Sequence, residues 1–109
     1  MQQSTSIVEL RTTFARREEA EACAERLVSL RLAACVQIEG PVRSTYRWQG
    51  AVDRADEFRC TCKTTPALAD ACAAAILQEH PYQTPELLRG VVTATIDYAA
   101  WVRASVGED

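Results

Sequence analysis

An α+β sandwich, one antiparallel four-stranded sheet with helices packed on it, is the architecture that the amino-acid sequence predicts. Three observations lead to it. Apolar and polar residues alternate with period two in four segments, the pattern of strands. Apolar residues recur at helical spacing in three others, and the segments run strand, helix, strand, strand, helix, strand, helix. A chain of 109 residues suffices for one domain with one hydrophobic core, and residues 1–109 are read as a single domain.

Along Ser6 to Phe14, Val8 and Leu10 alternate with Glu9 and Arg11, giving the first strand. From Arg16 to Leu30, Ala20, Cys23, Ala24, Leu27 and Val28 form an apolar stripe, while Glu18, Glu21, Glu25 and Arg26 fill a solvated side; this is the first helix. The second and third strands form one long hairpin from Leu32 to Thr64. On the outgoing arm Val36 and Ile38, then Val42, Ser44, Tyr46 and Trp48, alternate with their neighbours, as do Phe58, Cys60 and Cys62 on the return. Thr64-Thr65-Pro66 offers a cap and a proline at the first helical position of a second helix, with Leu68, Cys72, Ala75 and Ile76 as its stripe. That helix ends near His80, because Pro81 disfavours helical backbone in the residue before it. Glu86 to Thr95 is the fourth strand, and Asp97 caps a short last helix carrying Tyr98, Trp101 and Val102. Residues 106–109 are expected to fray.

The hairpin tip lies at Gln49-Gly50. A two-residue loop there pairs even positions with odd ones and sets Val36 and Ile38 beside Lys63 and Thr61, the wrong face. Two arrangements restore an apolar side: a three-residue loop Gln49-Gly50-Ala51 with a glycine-dependent bulge, or an extra residue accommodated at Gly40-Pro41. Either way the arm from Leu32 to Trp48 far exceeds the usual strand of about 5 to 6 residues. It overshoots the sheet, and Tyr46 and Trp48 at its tip call for a partner surface.

The element order is that of the ferredoxin-like βαββαβ fold with a C-terminal helix added. Right-handed crossovers place both long helices on one face of the sheet. The other face is left without a helix, and Thr12, Thr61, Thr93 and Thr95 give it the character of a face partly buried against another subunit.

Hydrophobic residues make up 48% and charged residues 25%, and the net charge of −3 supplies no basic field for nucleic acid. No apolar run reaches the roughly 20 residues of a spanning helix, and Met1 to Ser6 lacks the apolar core of a signal peptide. No nucleic-acid partner, no membrane insertion and a cytoplasmic location are therefore expected. Five cysteines, an odd number in helix and strand positions, do not make a disulfide framework. Cys23, Cys60, Cys62 and Cys72 fall on apolar faces as reduced thiols that pack like small hydrophobes. Cys35 lies opposite the apolar face of its strand, where a subunit surface is in reach.

His80, the only histidine, sits in His80-Pro81-Tyr82-Gln83-Thr84-Pro85-Glu86, a loop stiffened by two prolines. A histidine and a carboxylate on a rigid loop suit metal binding or proton transfer. The alternative is structural: His80 closes the end of the second helix and Tyr82 plugs the end of the core. One histidine does not make a zinc site, which takes three or four ligands. The sequence carries no glycine-rich phosphate loop, paired catalytic carboxylates or nucleophile elbow.

Leu32-Ala33-Ala34-Cys35-Val36, Ser44-Thr45-Tyr46-Arg47-Trp48-Gln49-Gly50, Glu57 with Lys63-Thr64, and the loop His80 to Glu86 together resemble the CutA family of divalent-cation tolerance proteins, in order and spacing, over nearly the whole chain. The resemblance implies a ferredoxin-like subunit, a homotrimer whose long hairpins extend the sheets of neighbours, and a role in tolerance of copper and other divalent cations. In bacterial members copper ligands have been proposed at a cysteine near the end of the first strand and at a histidine pair before Pro-Tyr. Here Arg11 and Glu79-His80 stand at those positions. A guanidinium does not ligate a cation, which leaves His80, Glu79 and Cys35 as weak metal candidates. Copper or another divalent cation is the expected ligand, with none required for folding. Tyr46, Trp48, Glu57, Lys63, Tyr82 and Glu86 are placed by the resemblance around an inter-subunit cleft, where they serve function or hold the trimer together.

Three functional classes follow. The first is a trimer in metal homeostasis, a weak metal binder or a platform for a protein partner. The second is a small-molecule sensor built like the trimeric PII signalling proteins, with its ligand between subunits; the missing phosphate loop counts against a nucleotide ligand. The third is a cleft enzyme, disfavoured by the single histidine and the lack of a nucleophile–base pair.

Overall fold

Strand β1 (Ser6–Phe14) lies inside a sheet of order β2-β3-β1-β4, every neighbouring pair antiparallel. The computed structural model describes residues 5–108; residues 1–4 and Asp109, the end of the tail expected to fray, lie outside it. Helix α1 (Arg17–Ser29) follows β1, then the hairpin of β2 (Cys35–Trp48) and β3 (Ala51–Thr64), helix α2 (Ala69–Gln78), β4 (Leu87–Thr93) and α3 (Ile96–Ser105). This is the ferredoxin-like order that the sequence predicts, with α3 added.

Period-two alternation does what it promised on one side of the sheet. Val8, Leu10 and Phe14 of β1 and Cys60 and Cys62 of β3 turn inward against Ala20, Cys23 and Leu27 of α1 and Ala69, Cys72 and Ile76 of α2. Val28, at the flank of the α1 stripe, is exposed. Helix α2 starts later than Pro66, because residues 66–68 form a turn in which the Thr65 hydroxyl accepts the Leu68 N–H at 3.3 Å. The same hydroxyl donates to Glu108 Oε2 at 2.6 Å, and Val106 is buried, so the tail is docked through Glu108 and not frayed. The cap of α3 is Thr95, whose hydroxyl accepts the Tyr98 N–H at 3.2 Å. Asp97 falls instead in the first turn, where its charge suits the helix dipole.

The second face is only partly bare. Helix α3 closes one end of it, burying Ala99, Val102 and Val106 with Ile7 and Ala34 and against Val92. The remainder is polar, a shallow concavity formed by Glu9, Arg11, Gln37, Glu39, Arg59 and Thr61. Of the four threonines assigned to this face, only Thr61 belongs there. Thr12 pairs with Cys60 under the helices and is fully buried, Thr93 shares that side in the row of Ser6, and Thr95 is a helix cap.

The hairpin register is settled by Gly40-Pro41. The tip is a two-residue loop with Gln49 at φ 50° and Gly50 at φ 81°, and Trp48 pairs with Ala51. Glu39 pairs with Arg59 but Val42 with Glu57, so Gly40 and Pro41 together oppose Phe58. The extra residue keeps Val36 and Ile38 with Cys62 and Cys60 on the helix side and carries Val42, Ser44, Tyr46 and Trp48 to the side of Glu57 and Arg59. That is the side of the polar concavity, whose other end α3 covers. Since β1 pairs with β3 only as far as Phe58, the last seven rows project free for about 23 Å, and the molecule measures 54 × 24 × 21 Å. Arg17 of α1 grips the bulge, its guanidinium 4.7 Å from the Phe58 ring centre and donating to Gly40 O at 3.4 Å.

A Cβ at Gly40 would stand 2.8 Å from Phe58 Cδ1 and 2.9 Å from the Glu57 carbonyl oxygen, at φ +153°. At Gly50, φ is +81° but nothing lies within 4 Å. Gly40→Ala is therefore expected to cost about 2 kcal/mol or more, and Gly50→Ala about 1 kcal/mol. Urea unfolding of the two variants checks this; equal losses contradict the close approach at the bulge.

Candidate functional site

The loop after α2 returns the chain to the end of β1, and His80 is the residue that fastens it there. Its ring stacks on Phe14 with centroids 4.4 Å apart and planes 10° from parallel. Nε2 lies 3.0 Å from the Thr13 carbonyl oxygen and 3.1 Å from the Thr12 hydroxyl, while Nδ1 accepts the Tyr82 N–H at 3.2 Å. A carbonyl only accepts, so Nε2 carries the proton and the ring is the neutral Nε2–H tautomer. Both nitrogens are committed, and a cation has no lone pair to take without displacing the Tyr82 amide.

The same turn aims the Tyr82 side chain at the root of the hairpin, where its hydroxyl donates to Glu57 Oε2 at 2.8 Å. Burial, and then the bond to Glu57, push the Tyr82 phenol above its ordinary range, so it remains a donor. Burial likewise lowers His80 below its usual value, opposed by the Thr13 carbonyl and by the charges of Glu19 and Glu57.

The structure joins three of the expected residues, Glu57, His80 and Tyr82, into one chain of contacts. Tyr46 and Trp48 stand further out on the hairpin, 41% and 46% exposed, on the side of Glu57. Glu86 and Leu88 rim the polar concavity of the second sheet face. Lys63 pairs across the ladder with Cys35 and lies 5.7 Å from the Tyr98 ring centre. The metal candidates are not brought together within the chain. Glu79 is bound to Arg26 at 2.6 Å. Cys35 lies on the opposite side of the sheet from His80 and four rows away, roughly 13 Å along the strands. Arg11, at the position of the proposed cysteine ligand, is paired with Glu9 at 2.8 Å. Among the described residues no three histidine, cysteine or acidic side chains group closely enough to hold a metal ion.

Thr12, Thr13 and Phe14, the partners of His80, are the site residues that sequence reasoning misses. The alternation that puts Val8 and Leu10 inside puts Thr12 inside with them, a signal that its hydroxyl obscures.

Residues 8–105 match the sequence family described as CutA1 divalent ion tolerance protein. The chain belongs to the CutA1 family. A CutA described as a divalent-cation tolerance protein from Escherichia coli is 35% identical over 104 residues, covering 94% of this chain and 92% of that one. The structure of CutA from Synechococcus elongatus superposes with a TM-score of 0.90 at 36% identity, covering 97% and 95% of the two chains. That of the periplasmic divalent cation tolerance protein CutA from Archaeoglobus fulgidus gives 0.87 at 29% identity, covering 92% and 98%. With one CutA1 relative described as periplasmic, family membership does not fix the compartment.

Because the folded protein holds His80 neutral below its usual pKa, the unfolded chain takes up a proton that the folded one resists. Stability from this source is complete at neutral pH and declines as pH falls below about 6.5. Urea midpoints between about pH 7 and 5.5 are expected to fall more steeply for wild type than for His80→Gln; identical slopes contradict the sealed histidine. Tyr82→Phe, which leaves Glu57 without its donor, is expected to cost about 1 kcal/mol in the same assay.

Proposed function

We propose that this chain works in divalent-cation tolerance as a non-enzymatic homotrimer of single-domain subunits, assembled through the part of the second sheet face that α3 leaves open and the hairpin. One observation carries the reading: the Gly40-Pro41 bulge turns Tyr46 and Trp48 to the same side as the polar concavity, so ribbon and sheet present one continuous surface. Aromatic side chains anchor interfaces, and closed symmetry satisfies strand edges that otherwise invite aggregation. Tyr82 and Glu57 lie at the root of this surface, where a neighbour's hairpin or a small ligand would meet them.

Copper or another divalent cation is bound weakly in this reading, if through Cys35, Glu79 or His80, because each is separately placed and His80 has both nitrogens engaged. No helix among the described residues is long and apolar enough to cross a membrane, and cytoplasmic residence belongs to the proposal.

Light scattering coupled to size-exclusion chromatography at micromolar protein is expected to give the mass of three chains; the mass of one chain sinks the proposal. Trp48→Ala is expected to weaken assembly by about 2 kcal/mol or more, seen as dissociation on dilution. An unchanged mass at every concentration would assign Trp48 to the solvated tip.

A further inference from the structure

Beyond Phe58 the two faces of the ribbon carry charge of opposite sign. The ladder pairs Arg43 with Asp56, Thr45 with Arg54 and Arg47 with Val52, so these side chains share the face that continues the helix side of the sheet, and all are exposed. The face of Tyr46 and Trp48 holds Asp53 and Glu57 and no basic residue. At the root, Arg17 stands over the Phe58 ring. Successive rows from Phe58 outward therefore present one guanidinium each, from Arg17, Arg43, Arg54 and Arg47, at a repeat of about 6.6 Å along the strands. Arg43 is met by Asp56 at 3.1 Å. Among the described residues the guanidiniums of Arg47 and Arg54 have no ion-pair partner.

We propose that this arginine face docks an extended acidic segment of a partner protein, one in which carboxylate side chains alternate with neutral ones. In an extended segment every second side chain lies on one side, at the same repeat of about 6.6 Å, so a segment running along the ribbon sets one carboxylate against each guanidinium. The planar guanidinium suits that ligand, since it donates two parallel N–H bonds to a carboxylate.

Segregation of sign distinguishes this stripe from an ordinary solvated surface, in which charges of both signs are interspersed. On the polar concavity, by contrast, Arg11 and Arg59 are each matched by a neighbouring glutamate. A nucleic-acid strand fits the face less well. Tyr46 and Trp48 turn to the other side, which leaves bases no ring to stack on, and the net charge of −3 opposes a long polyanion. Assembly through the Tyr46 and Trp48 side, on which this inference rests, leaves the arginine face outward.

Fluorescence anisotropy of a labelled peptide of alternating glutamate and threonine, at low ionic strength, tests this. Wild type is expected to bind it more tightly than a peptide of the same composition with its glutamates in one block, and to release it as salt is raised. Arg47→Ala/Arg54→Ala is expected to weaken binding of the alternating peptide roughly tenfold. No binding, equal affinity for the two peptides, unchanged affinity in the double variant, or tighter binding of a single-stranded oligonucleotide each overturns the proposal. Light scattering on the same samples separates it from the assembly reading. The double variant is expected to keep the mass of wild type; a smaller mass would assign the arginine face to contact between subunits and overturn the proposal. A wild type with the mass of one chain that still shows the peptide pattern would contradict the assembly alone.

Discussion

Two residues facing one, Gly40 and Pro41 against Phe58, decide which way each half of the hairpin faces. Without that extra residue, the register required by the Gln49-Gly50 loop would turn Val36 and Ile38 away from the core. With it, the inner half of the ribbon supplies the core and the outer half presents Tyr46 and Trp48 on the side of the polar concavity. The close approach of Gly40 to Phe58 and Glu57 is what a side chain at that position would prevent, and Arg17 holds the junction from α1. A single local irregularity therefore sets the orientation of a projection some seven residues long.

The second fastening lies a few residues away. His80 ties the proline-stiffened loop to the Thr13 carbonyl and the Thr12 hydroxyl of β1, and Tyr82, placed by the same turn, reaches Glu57 just beyond the bulge. The end of β1, the loop before β4 and the root of the ribbon thus form one unit in which a neutral imidazole is the central hydrogen-bonding group. An imidazole used in this way is structural. Both ring nitrogens are taken up within the chain, by the Thr13 carbonyl with the Thr12 hydroxyl and by the Tyr82 amide.

Much of this was legible in the sequence because the signals were local. The two-residue period of Val8 and Leu10 and the helical stripe of Ala20, Cys23 and Leu27 specify element type and inward face without knowledge of partners. The bulge was legible only as one of two arrangements, since a three-residue loop satisfies the same alternation; the positive φ of both Gln49 and Gly50 selects the tight turn. Thr95 and Asp97 are both good cap residues, and only backbone geometry distinguishes them. A structural role for His80 was among the two readings of its loop, but the partners it takes were beyond reach for a different reason. Its partners Thr12 and Thr13 lie 68 and 67 residues away in sequence, and no periodicity links segments so far apart. Family resemblance brought Glu57 and Tyr82 to one cleft, but the bond between them is a fact of the fold.

The central claim is that the ribbon beyond Phe58 is a contact surface and not a solvated arm. Hydrogen exchange of the outward-facing backbone amides in residues 42–48 and 51–57, at micromolar protein concentration, tests it most directly. In an isolated two-stranded ribbon those amides have no partner in the sheet and exchange at the rate of exposed chain. The account expects them to be protected to the level of β1 and lost together on dilution; fast exchange along the whole outer edge, while β1 stays protected, would contradict it.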